Sequence, residues 1–382
     1  MTPRTPGFAF RVAATEGLAR RGVLSTPHGD VETPTFMPVG TQGGVKTLTP
    51  GEVAATGARI VLGNTYHLML RPGAEVVARL GGLRAFSRWP HAMLTDSGGF
   101  QAFSLSVGGP SLASGSEEGF TFTSHLDGSK HRLTPEDAVR VQGLLGADIQ
   151  MQLDVCPPGQ SERAVVEQAV ARTSRWAKRA LATPRPEGQA LFGIVQGACF
   201  VDLRRAHADE LRELPFDGLA LGGFSVGEPV ARMHEALPEV APYLDPERPR
   251  YLMGVGTPRD LVIAMGAGVD MFDCVLPTRN ARNGQALTRF GRVVVKHARW
   301  KEDPRPIDEA CACPCCAGGY SRAYLRHLYL AGEILALRLL SLHNLHWYAE
   351  LTAAARAAIS SGAFGTWAAS TLARMEEGEA SA

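Results

Sequence analysis

The chain has 382 residues, 39 Lys plus Arg against 38 Asp plus Glu, and a formal net charge of +1. With 45% hydrophobic and 20% charged residues, the composition is that of a globular chain and excludes intrinsic disorder. Near-neutrality excludes a protein that coats nucleic acid by bulk charge, so a nucleic-acid partner would need a local basic patch.

Met1 to Arg11 shows no secretory signal. Short apolar runs then recur, each closed by Gly, Asp, Asn, Gln or Thr: residues 36–41, 60–65, 92–97, 149–154, 191–196, 218–223, 251–256 and 269–273. Runs this short and this apolar fit parallel strands buried on both faces. Helical patterns separate them, as at 137–145, 162–181 and 203–214. Thr-Pro-x-Glu/Asp at Thr49, Thr134 and Thr257 supplies an N-cap, a proline in the first turn and an acid near the helix's positive end. Eight strands alternating with helices predict an α/β fold, a (β/α)8 TIM barrel, with a doubly wound open sheet as the rival. The barrel is favoured because nearly every run ends in a group able to do chemistry, and in a barrel those ends meet on one face.

Two stretches break the rhythm. Residues 108–130, rich in Gly and Ser and alternating weakly at Phe120 and Phe122, read as a hairpin or ordered loop after the third strand, with no chemistry of its own. Residues 280–345 read as a small subdomain inserted after the eighth strand of a single domain spanning 1–382. The stretch 329–345 carries Glu333, Arg338 and His343 and is too short and too charged to span a bilayer. The acidic tail from Met375 is expected to fray.

Of seven cysteines, four fall between Cys311 and Cys316, while Cys156, Cys199 and Cys274 stand alone. This is no secreted disulfide framework; it points to a reducing compartment, the cytoplasm, and to one metal site. Three cysteines and a histidine would close a tetrahedral zinc shell, structural because no position is left for water. Such a site could contribute on the order of 10 kcal/mol to folding. Spacing alone does not choose between Cys315 and Cys316, nor among His327, His343 and His346.

Three carboxylates sit at strand ends. Asp96 lies in residues 95–101 (TDSGGFQ), where Gly98 and Gly99 let backbone approach a ligand and Ser97 and Phe100 flank it. Turn capping is the alternative role. Asp154 ends a strand and could equally be a helix N-cap. Asp273 lies among apolar neighbours, where an ionised carboxylate is costly unless partnered or used. Asp270, at the start of the same strand, would face the opposite, stability-determining end. Gln196 and the Gly222-Gly223 backbone could read the edge of a planar heterocycle, with Phe100 and Met253 as sandwiching groups or as ordinary core. Several carboxylates on one face suit glycosidic chemistry. From Arg279 to Arg305 eight basic residues face two acids, a patch suited to phosphate.

The segments 36–41 (FMPVGT), 63–68 (GNTYHL), 95–101, 192–197 (FGIVQG), 222–228 (GGFSVGE), 251–256 (YLMGVG) and 270–284 (DMFDCVLPTRNARNG), with the cysteine cluster, occur in the order found in bacterial tRNA-guanine transglycosylases, and the chain resembles that family from about residue 8 to about 370. The resemblance implies exchange of the wobble guanine, position 34, of tRNAs with a GUN anticodon for a 7-deazaguanine, by a homodimer. It implies Asp273 as nucleophile and Asp96 as general acid/base. Ser97, Gly99, Phe100, Asp154, Gln196, Gly223, Phe224 and Met253 would contact the base, and Arg279 and Arg282 the anticodon loop. Zinc would be held by Cys311, Cys313, Cys316 and His343, with Cys315 a bystander.

Val155 stands where bacterial relatives usually carry glutamate, and Phe224-Ser225 replaces the commoner Leu-Ala. Cys156 and Val226 match the bacterial pattern, which favours 7-aminomethyl-7-deazaguanine (preQ1) over queuine. The linker from Cys316 to His343 is one residue longer than the family pattern, and no C-terminal RNA-binding domain follows, unlike the archaeal enzymes. The rivals are a 7-deazaguanine inserter acting on DNA, a non-catalytic RNA-binding subunit, whose mark would be loss of Asp96 and Asp273, and a zinc hydrolase.

Overall fold

A computed structural model describes residues 5–104 and 114–380. The eight apolar runs form the eight strands of a closed parallel barrel: β4 (Thr35–Gly40), β5 (Ile60–Gly63), β6 (Ala92–Thr95), β10 (Ile149–Met151), β11 (Ala190–Val195), β12 (Gly218–Leu221), β13 (Arg250–Leu252) and β14 (Met271–Cys274), with β14 pairing back onto β4. Helices flank it, and Thr49, Thr134 and Thr257 each close a capping box with proline in the first turn.

Strand alternation divides the core in two. Leu62, Leu94, Met151, Ile194, Ala220, Tyr251 and Met271 fill the barrel, while Val61, Leu191, Val195, Leu221, Leu252 and Phe272 pack outward against helices. The same period of two carries the inward phase beyond the last inner layer: Leu94 predicts Asp96, Ile194 predicts Gln196, Tyr251 predicts Met253, and Met271 predicts Asp273.

Sequence periodicity did not reveal the antiparallel sheet β1 (Ala9–Glu16), β2 (Ala19–Thr26) and β3 (Gly29–Thr33). It plugs the bottom of the barrel: Phe8, Leu24 and Val31 join the interior cluster, and the Phe8 ring meets Phe192 edge-on at 5.9 Å. After β6 the inserted segment is a three-stranded sheet, β7 (Ser114–Gly115), β8 (Phe120–Thr123) and β9 (Lys130–Leu133), rather than one hairpin. Residues 108–113 of that segment lie outside the described residues. Phe120, Phe122 and Leu133 bury against Tyr66, Leu153 and Trp176, and this apolar seam is what fixes the sheet to the barrel.

After β14 come the hairpin β15 (Gln285–Thr288) and β16 (Gly291–Val294), the cysteines, and the helices Arg322–Leu330 and Ile334–Ser360. The long helix serves two cores. Leu339 and Leu340 pack with the cysteines, and Leu345, Tyr348 and Leu351 pack on the barrel. Among the described residues the expected fraying from Met375 is not found: the last helix runs Phe364–Ala380, Met375 is buried, and Glu376 pairs with Arg259 at 2.5 Å, while residues 381–382 of the tail lie outside the described residues. Among the described residues no helix is long and apolar enough to cross a membrane.

Candidate active site and metal centre

The C-terminal ends of the barrel strands enclose a cavity of about 360 Å3. Asp96, Ser97, Phe100, Asp154, Gly223, Phe224, Met253 and Asp273 all line it, Asp273 from β14 itself and the others from the loops after four other strands. Gly99 and Gln196 do not reach its surface. Gly99 lies tight against Leu153, where a Cβ would come within 2.8 Å of Cδ1, and Gln196 is fully buried one layer below. A cavity of about 450 Å3 outside the barrel, between β4 and the helix Ile334–Ser360, contains none of the candidate catalytic, base-binding, tRNA-binding or metal-binding residues.

Asp273, the third residue of its strand, forms no ion pair among the described residues. Its Oδ1 accepts hydrogen bonds from the Tyr251 hydroxyl at 2.5 Å and the Gly254 amide at 2.7 Å. Both bonds fall on one oxygen and leave Oδ2 to act. Burial raises its pKa above the usual carboxylate range, against the pull of those two donors.

Asp96 is held by the turn after β5. The Thr65 amide donates to Oδ1 at 2.8 Å, and the Asn64 side chain donates to Oδ2. Asn64 also caps the helix Thr65–Leu70, so one short turn fixes both itself and the carboxylate. Burial lifts Asp96 to about 7, with the Asp273 and Asp154 charges adding and the Thr65 amide opposing. A carboxyl that titrates near neutrality can both give and take a proton at working pH.

Asp154, raised to about 6 chiefly by burial, accepts from Gln196 Nε2 at 2.6 Å. Gln196 Oε1 is buried without a hydrogen-bond partner among the described residues. Gly223, at φ +66°, lies directly over that oxygen, and any side chain there would collide with it. Phe100 stands at the rim, 47% exposed, and Met253 is half-buried.

Sequence reasoning missed several supports of this site: Asn64, Tyr251, Arg204, His207 and Glu228. Two of them carried a signal. Arg204, His207, Ala208 and Leu211 form one stripe on the helix Val201–Arg212, and all are buried. A charge and an imidazole on an otherwise apolar stripe mark a polar task inside the fold. His207 Nδ1 accepts from the Gln196 amide at 3.0 Å, and burial pushes the ring down to about 4, so it stays neutral. Glu228 accepts from the Ser225 amide and, at 2.9 Å, from the Val226 amide.

Arg279 is exposed and Arg282 half-buried on the helix Leu276–Arg282, which leaves β14 immediately after Asp273. Of the eight basic residues in the stripe, Arg289 pairs with Asp308 and Arg305 with Asp303. Arg279, Arg282, Arg292, Lys296, Arg299 and Lys301 form no ion pair among the described residues.

The cysteines resolve the ambiguity left by spacing. Cys311, Cys313, Cys316 and His343 are all buried and bring their donor atoms within 4.8 Å of one another. His343 Nδ1 lies 3.6, 3.4 and 3.4 Å from the three sulfurs in that order, and Nε2 faces the Leu287 carbonyl at 3.0 Å. That carbonyl fixes the tautomer, with Nε2 carrying the proton and Nδ1 offering its lone pair. Cys315 is buried outside this set. These four residues could hold a metal ion.

A parallel barrel with unneutralised carboxylates converging at its mouth is equipped for glycosyl transfer. Residues 15–377 match the family described as queuine tRNA-ribosyltransferase. Proteins of that name are similar along almost the whole chain. One from Sorangium cellulosum (strain So ce56) is 70% identical over 375 residues, 98% of this chain and 94% of the relative. One from Nitratidesulfovibrio vulgaris (strain DP4) is 55% identical over 362 residues, 94% and 95% of the two chains. One from Cereibacter sphaeroides (strain ATCC 17029 / ATH 2.4.9) is 53% identical over 377 residues, 98% and 99%. The chain belongs to the queuine tRNA-ribosyltransferase family: it is a bacterial tRNA-guanine transglycosylase, a pentosyltransferase of queuosine biosynthesis.

Proposed function

We propose that this chain exchanges guanine-34 of GUN-anticodon tRNAs, those for aspartate, asparagine, histidine and tyrosine, for preQ1 by double displacement. Asp273 Oδ2 attacks C1′ of the flipped nucleotide. The bond from C1′ to guanine N9 breaks, protonated Asp96 gives its proton to the departing guanine and becomes a carboxylate, and the tRNA stays as an aspartyl ester. Asp96 takes the N9 proton of the incoming base, whose nitrogen displaces the aspartate and restores the original configuration. The carrying observation is the pair Asp273 and Asp96: a half-buried and a buried carboxylate on one cavity, neither in an ion pair among the described residues, each fixed by its own donors.

Asp154 and the Gly223 amide would read the base edge, with Gln196 acting from the layer below by holding Asp154 through its Nε2 at 2.6 Å. Ser97 and Gly99 would shape the turn, and Phe100, Phe224 and Met253 would bound the base faces. Arg279 and Arg282 would take anticodon-loop phosphates, the free cations of the stripe extending that surface. We assign the reaction to the cytoplasm and to a homodimer, with residues 280–345 as a subdomain of one domain.

Structural zinc on Cys311, Cys313, Cys316 and His343 completes the assignment. Zn–S near 2.3 Å and Zn–N near 2.0 Å place tetrahedral ligand atoms about 3.5 Å apart, the spacing seen between His343 and the sulfurs. Elemental analysis lacking one zinc per chain removes this part.

The test is competition among guanine, preQ1 and queuine for one GUN-anticodon transcript, run in parallel with DNA. PreQ1 should dominate on tRNA. Incorporation into DNA alone would overturn the substrate assignment.

A further inference from the structure

Arg204 is 0% exposed, and among the described residues no carboxylate lies within ion-pair distance of it. Its partners are backbone carbonyls. Nε donates to Ala198 O at 2.5 Å, Nη1 to Val195 O at 3.3 Å and Nη2 to Gly223 O at 3.2 Å. Val195 and Ala198 bracket Gln196 in the loop after β11, and Gly223 belongs to the loop after β12. The guanidinium also lies over the Phe224 ring, 3.6 Å from its centroid.

Both loops are held away from relaxed geometry. Ala198 has φ +47° and Ser225 φ +60°, two of the four non-glycine residues with positive φ among the described residues. Such conformations persist only where the surroundings over-determine them. Arg204 binds the carbonyl of Ala198 itself, and its stem fills the space a Cβ on Gly197 would need, 2.6 Å from Cγ. Burial lowers the guanidinium to about 10, which leaves it charged at neutral pH.

We infer that Arg204 is a positioning residue for base exchange: from beneath the cavity it ties the Gln196 loop to the Gly223–Phe224 loop and so sets the shape in which both meet the incoming base. The inference rests on the function proposed above and adds to it a residue that touches no substrate. A planar fork with donors in several directions can reach three carbonyls and stack on a ring at once, whereas an ammonium cannot. Phe224, where the family pattern has leucine, supplies the ring, so in this chain the clamp acts on the side chain as well as on the backbone.

The test uses the full chain with a GUN-anticodon transcript and labelled guanine or preQ1. KM is measured for the base at saturating tRNA and for tRNA at saturating base, with Tm recorded alongside. Arg204→Met keeps length and removes the donors. It should raise the base KM about tenfold or more and leave the tRNA KM within about twofold. Arg204→Lys should recover only part of the loss, and Phe224→Leu should raise the base KM by about two- to fivefold with an unchanged Tm. A folded Arg204→Met with an unchanged base KM, or with both KM values rising together, overturns the inference. If that variant does not fold, Phe224→Leu decides, and an unchanged base KM overturns it. A wild-type chain that exchanges no base fails the underlying functional reading and takes this inference with it, whereas an active wild type with unaffected variants sinks this inference alone.

Discussion

Asp270 and Asp273 lie three residues apart, at opposite ends of the same barrel strand, the first fully buried and the second half-buried on the cavity. At the bottom, Asp270 is saturated: Arg20 Nε donates at 2.9 Å, the Arg20 Nη2 group closes a second bond, and the Arg250 amide donates at 2.7 Å. At the mouth, Asp273 receives a hydroxyl and an amide on one oxygen and, among the described residues, no cation. A carboxylate whose lone pairs are spent on a guanidinium is inert and ties chain segments together. One left with a free oxygen on a cavity wall is held for reaction, at a cost to stability. The barrel thus separates structural from reactive acid by strand end alone.

The contrast can be broken most severely at the mouth. Asp273→Ala should cut base exchange by about 10^4-fold or more and abolish a denaturation-resistant protein–tRNA adduct. An adduct that survives on denaturing gels would mean that another side chain attacks. At the other end, Asp270→Asn leaves Arg20 buried without its counter-charge and should destabilise the fold by about 3–5 kcal/mol in urea titration. The folded fraction should keep its kcat, and a matching loss of kcat would erase the distinction between the two ends.

The smallest effect is in pH dependence. Asp96 holds its proton up to about 7 in the fold, against an ordinary value of 3.8 in the unfolded chain. Its penalty is therefore absent at pH 4, grows between 4 and 7 as the unfolded chain alone ionises, and is complete above 7. The Tm difference between Asp96→Asn and wild type should shift in the variant's favour from pH 5 to pH 8, while turnover falls by about 10^2–10^4-fold. An equal Tm difference at both pH values would mean that Asp96 is ionised throughout.

The barrel was legible because strands such as Ile60–Gly63 and Ala190–Val195 are apolar on both faces, a pattern few other elements share. The bottom sheet was not, because Arg11, Arg20 and Arg21 interrupt it, and its inward residues Phe8, Leu24 and Val31 find their partners only across the closed barrel. Acidic character in the tail suggested fraying, yet Met375 buries there and Arg259 takes Glu376. Cys315 and Cys316 are adjacent on the helix Pro314–Ala317, so they point about 100° apart, and only one can face His343.

Strand period and residue type are local properties, and they determined the eight strands, the inward phase of Asp96 and Asp273, and the composition of the metal set. The tertiary structure decided which acids are neutralised, which sulfur faces the imidazole, and that Arg204 lies between two loops. Each of these depends on groups far apart in the chain meeting in one largely enclosed place. The strength of a charge or a hydrogen bond is fixed by that enclosure, which no stretch of sequence contains by itself.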